Sequence, residues 1–412
     1  MRNQICSIAS SICLCLLVSC SSAVSPAANV TALPPTITAI PPTMTLTPVP
    51  SMTPMPVQIT GLTELQMFSE SAGWGLVSKA DSTNSLLHTN DGGQSWVDVT
   101  PPALPANSFG SFFLNEQSAW IYDNNDPSKG LMHTVDGGKS WTMLTQSMPA
   151  PYATLKFVNE TDGWAEVNDV GAGHVEFTLS GTHDGGATWE QIPLSDPPNT
   201  MTQSFQPGDL SLCSICGDRV YYDPTRIIVV NGDLAGGSSG SVRLSVSSDL
   251  GKTWKGQVLP EPASQYNDGF VAPQEPVFLN QQDGYLPFNI IKYKADQSQE
   301  YCVLAIYTTH NGGLTWISNA TVAENVHLNT IMDFVSLQDI FAECGNDLCA
   351  THDGAHTWQQ LHSNLDFDNV PEINFASPSI GWAIATDGSS YSLWKTIDSG
   401  ISWINLSPIL IP

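Results

Sequence analysis

Short apolar runs alternate with polar turns at a nearly constant spacing from residue 61 to residue 407. In one recurring unit, an apolar run ends in phenylalanine and a polar turn follows. A second run then begins with a small residue and an aromatic one, as in Phe157–Trp164. Two more runs surround a glycine-rich turn such as HTNDGGQSW, residues 88–96. Because short apolar runs bounded by turn residues are typical of strands, the pattern predicts four strands in every unit of about 50 residues.

The glycine-rich turn occurs seven times, in the order Ser or Thr, any residue, Asp, any residue, Gly, any residue, Ser or Thr, Trp. Its acidic or amide residue and its tryptophan are Asp91 and Trp96, Asp136 and Trp141, Asp184 and Trp189, Asp249 and Trp254, Asn311 and Trp316, Asp353 and Trp358, and Asp398 and Trp403. Successive tryptophans are 42 to 65 residues apart, and repeats of about 40–50 residues are typical of propeller blades. The chain is therefore predicted to be all-β, a seven-bladed β-propeller of four-stranded antiparallel blades over residues 58–412.

These repeated turns are interpreted as structural. An Asp side chain can accept hydrogen bonds from backbone N–H groups just beyond it, and glycine supplies backbone angles that other residues resist. The tryptophan contributes a large apolar area that can be inserted between neighbouring units. Trp141→Ala is therefore expected to cost about 3–5 kcal/mol, as for other buried aromatic residues. Asn311 and Ala355 depart from the pattern, and such variation suits a scaffold better than a reaction centre.

The repeated turn resembles the Asp-box, or bacterial neuraminidase repeat. Together with the preceding Phe–turn–Gly–Trp unit, it is most similar to the photosystem II assembly and stability factor family, over roughly residues 61–407. The resemblance implies a propeller in which each box joins the third and fourth strands of a blade, at the periphery. It also implies assembly of a membrane complex, with recognition through an arginine-rich patch. This chain has four arginines in all and departs from the family there.

The N-terminal residues indicate export. An apolar run, Ile5–Val18, is too short to span a bilayer and ends in Leu17-Val18-Ser19-Cys20. This resembles a bacterial lipobox, which makes residues 1–19 a lipoprotein signal peptide and Cys20 the lipidated residue. An ordinary cleaved signal peptide is the alternative. Residues 20–57 are rich in Ser, Thr and Pro, which predicts a flexible tether. We therefore expect an extracytoplasmic, lipid-anchored propeller in the cell envelope.

The charge of the chain restricts its partners. It has 39 acidic residues against 13 Lys and Arg, for a formal net charge of −26. Nucleic acids and anionic lipids both need a basic surface, so neither is expected as a partner. The membrane is then reached only through the lipid anchor. No Asp-x-Asp-x-Asp-Gly loop indicates calcium, and no cofactor or metal is expected. A monomer that binds a protein or a glycan is predicted.

Five cysteines follow Cys20. Cys344 and Cys349 flank a predicted hairpin of blade six, where a cross-strand disulfide is plausible. Cys213 and Cys216 lie in an irregular insertion and could form a small disulfide loop, which leaves Cys302 over. A zinc site built from the two pairs is the competing interpretation. It is disfavoured because the pairs fall in different blades.

Two enzymatic interpretations compete with a purely structural one. A sialidase needs three arginines that converge from separate blades on a carboxylate, whereas Arg219, Arg226 and Arg243 lie within 25 residues of one another. A glycoside hydrolase needs two carboxylates about 5–9 Å apart. The candidate carboxylate pairs are Asp123 with Asp126 and Asp366 with Asp368. The spacing of His352 and His356 is metal-like, but it falls in a turn rather than on a helix.

The remaining candidate is a binding surface. The fourth and fifth units are longer than the others, with extra residues at 194–226 and 260–276. Loops on a rigid scaffold often carry function, and Arg219, Tyr221, Tyr222 and Arg226 are the candidate binding residues there. Exposed tyrosines could stack on sugar rings, although edge-strand packing explains them equally well. A non-catalytic binding or assembly scaffold is predicted, with a carbohydrate-active hydrolase as the alternative.

Overall fold

The computed structural model describes residues 57–411 with internal gaps. The gaps are residues 80–82, 103, 105–108, 145–147, 172–173, 193–218, 224, 232–241, 250–252, 254, 260–265, 267–268 and 389. The described residues form seven antiparallel sheets arranged as the blades of a β-propeller, so the predicted all-β fold is confirmed. Within those residues, no helix is long and apolar enough to cross a bilayer. The predicted signal peptide, Cys20, Cys213, Cys216 and Trp254 lie outside the described residues.

The first four blades each contain four strands, which follow one another from the axis outwards. Blade 1 contains β2 (Leu62–Met67), β3 (Gly73–Ser78), β4 (Asn84–Thr89) and β5 (Ser95–Asp98). Blade 2 contains β6 (Phe109–Phe113), β7 (Ala119–Asp123), β8 (Leu131–Thr134) and β9 (Thr142–Met143). Blade 3 contains β10 (Thr154–Phe157), β11 (Gly163–Gly171), β12 (His174–Thr182) and β13 (Glu190–Gln191). Blade 4 contains β14 (Arg219–Asp223), β15 (Arg226–Asn231), β16 (Arg243–Ser247) and β17 (Lys255–Val258).

The inner strand of blade 5 is interrupted, which gives that blade five strands. They are β18 (Phe270–Pro273), β19 (Val277–Phe278), β20 (Gly284–Tyr293), β21 (Gln299–Thr309) and β22 (Ile317–Glu324). Blade 6 contains β23 (Met332–Phe334), β24 (Ile340–Cys344), β25 (Asp347–Thr351) and β26 (Gln359–Leu361). Blade 7 contains β27 (Glu372–Phe375), β28 (Gly381–Thr386), β29 (Tyr391–Thr396) and β30 (Ile404–Leu406). Two further strands, β1 (Val57–Gln58) and β31 (Ile409–Ile411), join blade 1.

Aromatic side chains pack between successive blades. The Phe341 ring of β24 stacks on Phe375 of blade 7 with 3.7 Å between ring centroids, and Trp120 of β7 stacks on Phe157 of blade 3 at 3.9 Å. The indole Nε1 of Trp120 also donates a hydrogen bond to Gly185 O of blade 3 (2.8 Å). The small residue that opens each second strand leaves room for such a ring. A Cβ on Gly381, for example, would come within 2.5 Å of the Phe375 side chain.

The ring is closed by both chain ends. Strand β31 pairs in parallel with β5, the outermost strand of blade 1, and β1 pairs antiparallel with β31. Beyond these ladders, Ile59 N donates to Pro408 O (2.9 Å). Blade 1 is therefore a six-stranded sheet that contains the N-terminal and the C-terminal strand. Val57, the last residue of the predicted tether, already belongs to β1.

Candidate functional site

Each repeated turn is closed by its own side chains. In blade 1, Asp91 Oδ1 accepts hydrogen bonds from Ser95 N (2.8 Å) and from the Thr89 hydroxyl (3.0 Å). Gly93 N donates to the Thr89 hydroxyl oxygen (3.1 Å), and Trp96 Nε1 donates to Gly93 O (3.0 Å). The turn joins the third strand of the blade, β4, to the fourth, β5. Its polar groups are thus directed at the turn itself rather than at a common cleft.

The same capping bond occurs in the other six blades. The backbone N–H of the hydroxyl residue lies 2.8–2.9 Å from Oδ1 in the pairs Asp136–Ser140, Asp184–Thr188, Asp249–Thr253, Asn311–Thr315, Asp353–Thr357 and Asp398–Ser402. Hydrogen bonds from the Ser140 hydroxyl and backbone lower the pKa of Asp136 to about 2. Asn311 preserves the network because its Nδ2 donates to the Thr315 hydroxyl (2.8 Å). Seven separate turns, one on each blade, do not form one reaction centre.

The tryptophans of the turns differ in burial. Trp96, Trp316 and Trp403 are at most 6% exposed. The other three described indoles are only partly buried, namely Trp141, Trp189 and Trp358. Trp141 nevertheless joins blades 1 and 2, since its Nε1 donates to Val99 O (2.9 Å). Trp141 therefore packs between neighbouring units as expected, but it is less buried than expected, because part of its ring meets solvent.

A second contact of these turns was not predicted. His183, His310 and His352 occupy the variable second position of three turns. Their Nδ1 atoms lie 2.7–2.8 Å from the carboxylates of Asp162, Asp283 and Asp339, which end the first turn of the same blades. His352 is thus engaged by Asp339, and no metal-binding group of three or more ligand residues occurs among the described residues.

The candidate binding residues of blade 4 are mostly buried. Tyr222 is 1% exposed and packs edge-on against Trp164 of blade 3, with 4.9 Å between centroids. Tyr221 is partly buried, with its ring centroid 4.4 Å from that of Phe278 in blade 5. Among the four candidates, only Arg219 is exposed. Of the two interpretations of these tyrosines, sugar stacking at an exposed site is wrong and packing within a strand holds, because both residues belong to β14, the inner strand of the blade.

Arg226 stabilises the interface between blades 4 and 5. Its Nε lies 2.8 Å from Asp223 Oδ2, its guanidinium donates to Gly312 O (2.5 Å), and its charge lies 4.2 Å above the Phe278 ring. The residue is 8% exposed. Its assignment to a binding loop was therefore wrong.

The predicted carboxylate pairs cap turns. Asp123 is buried, lies 2.7 Å from Lys129 Nζ and accepts from Asn125 N (2.9 Å). Burial alone would raise the pKa of Asp123, but these contacts hold it below its usual value. Asp126 and Asp366 cap the single 3-10 turns Pro127–Lys129 and Phe367–Asn369. These contacts account for three of the four carboxylates as turn-forming groups.

Cys344 and Cys349 are joined by a disulfide that links β24 to β25. Both sulfurs are used, so this pair does not serve as a zinc ligand pair. Cys302 is buried in β21 as a free thiol, and burial raises its pKa to about 11. It is therefore protonated at neutral pH, which disfavours a nucleophilic role.

Equivalent positions on the inner strands carry both polar and apolar side chains, and several of the polar ones connect blades. One residue on each inner strand precedes the residue that packs at the blade interface, and by register these are Gln66, Phe112, Lys156, Tyr221, Val277, Asp333 and Asn374. Several of them tie neighbouring strands together. Asn374 Oδ1 accepts from Met67 N (2.7 Å) across the blade 7–blade 1 junction, and Asp333 accepts from Phe375 N. Lys156 forms an ion pair with Glu275, which connects blade 3 to blade 5.

Burial shifts the pKa values of several charged side chains on the inner strands, including Glu372 of β27. It raises the pKa of Glu372 to about 8, and nearby Glu64 adds to the shift. Burial likewise raises the pKa of Asp333 to about 6 and lowers that of Lys156 to about 8. Glu372 Oε1 accepts a hydrogen bond from Leu65 N of blade 1 (2.8 Å). The perturbed groups therefore include residues that hold the ring together, and none of them stands out in the sequence.

A separate cavity of about 260 Å³ opens at the end of blade 5, where β21 begins and β22 ends. The repeated turns lie at the opposite end of these strands, as the direction of β21 requires. Tyr266, which lines the cavity, comes from the extra segment 260–276. The extra length of that segment made it a candidate from the sequence. No sequence pattern singled out the other lining residues Tyr301, Glu324 and His327, which are distant in the chain.

Fold and site together define a seven-bladed β-propeller with structural turns and a polar axis. No known family profile matches the chain, and no curated protein matches it. Solved structures with a similar fold do exist. The YCF48 protein bound to a D1 peptide is 17% identical, with a TM-score of 0.47, and the match covers 83% of this chain and 96% of that one.

Two carbohydrate-active propellers are also similar. An ulvan lyase of polysaccharide lyase family PL25 is 10% identical with a TM-score of 0.48, over 85% of this chain and 97% of the lyase. The GH93 α-L-arabinofuranosidase of Fusarium graminearum is 11% identical with a TM-score of 0.38, over 85% of this chain and 98% of the enzyme. Identities and TM-scores this low assign neither a ligand nor an activity to this chain.

Proposed function

We propose that the chain is a non-catalytic binding or assembly module, held at the outer face of a membrane by a lipid on Cys20. The observation that carries this proposal is that polar side chains of the inner strands form hydrogen bonds between neighbouring blades. Glu372, Asn374 and Asp333 each accept a backbone N–H from the next inner strand. A carboxylate that accepts such a bond stabilises the contact between two blades, and that oxygen is not available to a substrate.

The remaining chemistry supports the same assignment. Three of the four carboxylates proposed from sequence as acid–base pairs cap turns, and the single described free thiol is buried and protonated. A ring of sheets is a scaffold whose connecting loops can recognise a partner. The tether of residues 20–57 would give such a module reach from the membrane surface.

A carbohydrate-active hydrolase is the second candidate, and one observation favours it. Partial burial raises the pKa of Glu372 to about 8, so its carboxyl is protonated at neutral pH, as a general acid must be. Glu64 is close enough to raise that pKa further, so a second carboxylate is present. Glycosidases use two carboxyl groups in this way.

Two measurements separate the candidates. Crosslinking in native envelopes followed by capture of the full-length chain should recover one recurring partner if the chain is a binding module. Incubation of the purified chain with a glycan panel should give no turnover. Turnover that Glu372→Gln abolishes, while the variant keeps the native melting temperature, would instead establish the hydrolase.

The proposed lipid anchor on Cys20 is tested by a separate experiment. Full-length chain expressed in a bacterial host should partition into the detergent phase, and Cys20→Ser should return it to the aqueous phase. Equal partitioning of both chains would contradict the lipid anchor without affecting the binding proposal.

A further inference from the structure

The cavity at the end of blade 5 has an apolar floor and a polar rim. Cys302, Val303 and Val326 lie at the floor, each at most 2% exposed. Glu300 and Glu324 stand at the rim and are exposed to solvent. An occupant that fits both parts has an apolar body and a polar or charged end.

Two tyrosines form the wall between floor and rim. The rings of Tyr266 and Tyr301 meet edge to face, with 5.1 Å between centroids. The Tyr266 hydroxyl donates to Glu324 Oε1 (2.8 Å), which fixes both side chains at the rim. Because an aromatic face is electron-rich, a wall of this kind attracts cations.

The protein already makes one contact of this type beside the cavity. Lys292 Nζ lies 5.9 Å from the centroid of the Tyr301 ring and 3.3 Å from Glu300 Oε2. An ammonium group is therefore compatible with a tyrosine and a carboxylate in this arrangement. Lys292 pairs with Glu300, whereas Glu324 accepts the Tyr266 hydroxyl through Oε1 and keeps an exposed carboxylate at the rim that a cation from outside can meet.

The surroundings of the cavity are acidic. His327 lines the wall, and its two nitrogens lie 2.9 Å from Glu343 and 3.9 Å from Asp368. Glu343 is buried, and its Oε2 also accepts a hydrogen bond from His327 N (3.4 Å). The carboxylates on and behind this wall outnumber the basic groups, and the whole chain carries a formal net charge of −26. Such a field attracts basic partners and repels acidic ones.

We propose that this cavity receives a lysine or arginine side chain from a basic segment of the partner. The methylene stem would pack on Val303, Val326 and the tyrosine rings, and the charged head would meet Glu324. Long basic side chains combine such an apolar stem with a charged end. This inference rests on the proposed binding function and names the chemistry of its partner.

The test uses the full-length chain and small probes observed by saturation-transfer NMR. Nα-acetyl-lysine amide and Nα-acetyl-arginine amide should bind, and the neutral isostere Nα-acetyl-norleucine amide should bind at least tenfold more weakly. Raising the salt concentration should weaken binding of the basic probes. Equal binding of norleucine amide would show an apolar pocket and overturn the proposal. Binding of methyl glycosides but not of the amino acid amides would overturn it in favour of a sugar subsite.

Variants locate the site. Glu324→Gln and Tyr301→Leu should each weaken binding of the lysine probe at least fivefold, with folding checked by circular dichroism. Glu190→Gln makes the same change of charge on the exposed β13 of blade 3 and should have no effect. If Glu324→Gln binds the probe as the wild type does, the cavity proposal fails. Partner capture that is equal for the wild-type and Glu324→Gln chains would overturn the cavity proposal and leave the binding function standing, whereas failure of the wild-type chain to capture any partner would count against the function itself.

Discussion

The indole Nε1 of Trp382 in blade 7 donates a hydrogen bond to Gly92 O in blade 1, at 3.0 Å and across 290 residues of chain. It corresponds to the bond between Trp120 and Gly185 of blades 2 and 3. The junction between blades 7 and 1 therefore contains the same kind of hydrogen bond as the junction between blades 2 and 3. The last blade thus meets the first through a contact that is also used between blades 2 and 3, and the ring closes.

Trp96 and Trp141 should differ in their contribution to stability. Trp96 is fully buried, so Trp96→Ala should lower the free energy of unfolding by about 3–5 kcal/mol. Trp141 is partly buried, and Trp141→Ala should cost roughly 1–3 kcal/mol, including the lost bond to Val99. Denaturant unfolding of the two variants measures both values. Equal losses would contradict the difference in burial.

Arg226 is expected to be structural. Arg226→Met leaves the buried carboxylate of Asp223 without its partner, and the free energy of unfolding should fall by about 3–5 kcal/mol. Arg219→Met, at an exposed position of the same blade, should change it by less than about 0.5 kcal/mol. Thermal denaturation of both variants provides the comparison. Similar melting temperatures for the two would make Arg226 a candidate binding residue again.

The stability of the ring should depend on pH through Glu372. Its pKa is about 8 in the folded chain against an ordinary value of 4.5, so the folded state favours the protonated carboxyl. The associated stability is complete below about pH 4.5 and is lost as the pH rises through 8. Glu372→Gln should therefore match the wild type near pH 5 and exceed it at pH 9 by about 1 kcal/mol or more.

Unfolding measured at both pH values tests this, with Glu190→Gln as the control for an exposed carboxylate. A stability difference between Glu372→Gln and the wild type that does not change with pH would contradict the assignment. The glutamine keeps an acceptor for Leu65 N, so the hydrogen bond itself is not the variable.

The disulfide in blade 6 should make a measurable contribution. Closing so short a loop is expected to stabilise the folded chain by about 2 kcal/mol. Removing it with Cys344→Ala and Cys349→Ala should lower the free energy of unfolding by that amount. A reductant should lower the melting temperature of the wild type and leave that of the double variant unchanged. Cys302→Ala should keep the sensitivity to reductant, because this thiol is free.

The sequence predicted the blades because their signal is repeated. Each turn combines an acceptor, a residue tolerant of positive φ and an indole, and Ala355 adopts φ 69° where other turns have glycine. The alignment of single strands was harder to predict. In blade 1 the register puts Met67 opposite Gly73, the position that Phe157 holds opposite Gly163 in blade 3, although Phe68 follows Met67 directly. A phenylalanine and a methionine side by side both satisfy an apolar position, so composition alone does not fix the register.

Contacts between distant segments could not be predicted from local patterns. The parallel pairing of β31 with β5 involves a three-residue strand of ordinary composition. Tyr222 and Arg226 adjoin an extra segment, which suggested a loop, yet strand alternation buries both. The cavity of blade 5 depends on side chains from positions 266 to 327, whose convergence follows only from the folded sheet.

The pairing of β1 with β31 determines how the ring responds to mechanical load. A pull on the chain ahead of Val57 first reaches β1, which has two residues and whose strand pairing in the blade 1 sheet is with β31. Rupture there would detach β1 while β31 stays paired with β5, so the circle of blades would remain shut. Under load, β1 is therefore expected to detach before any blade separates from its neighbour.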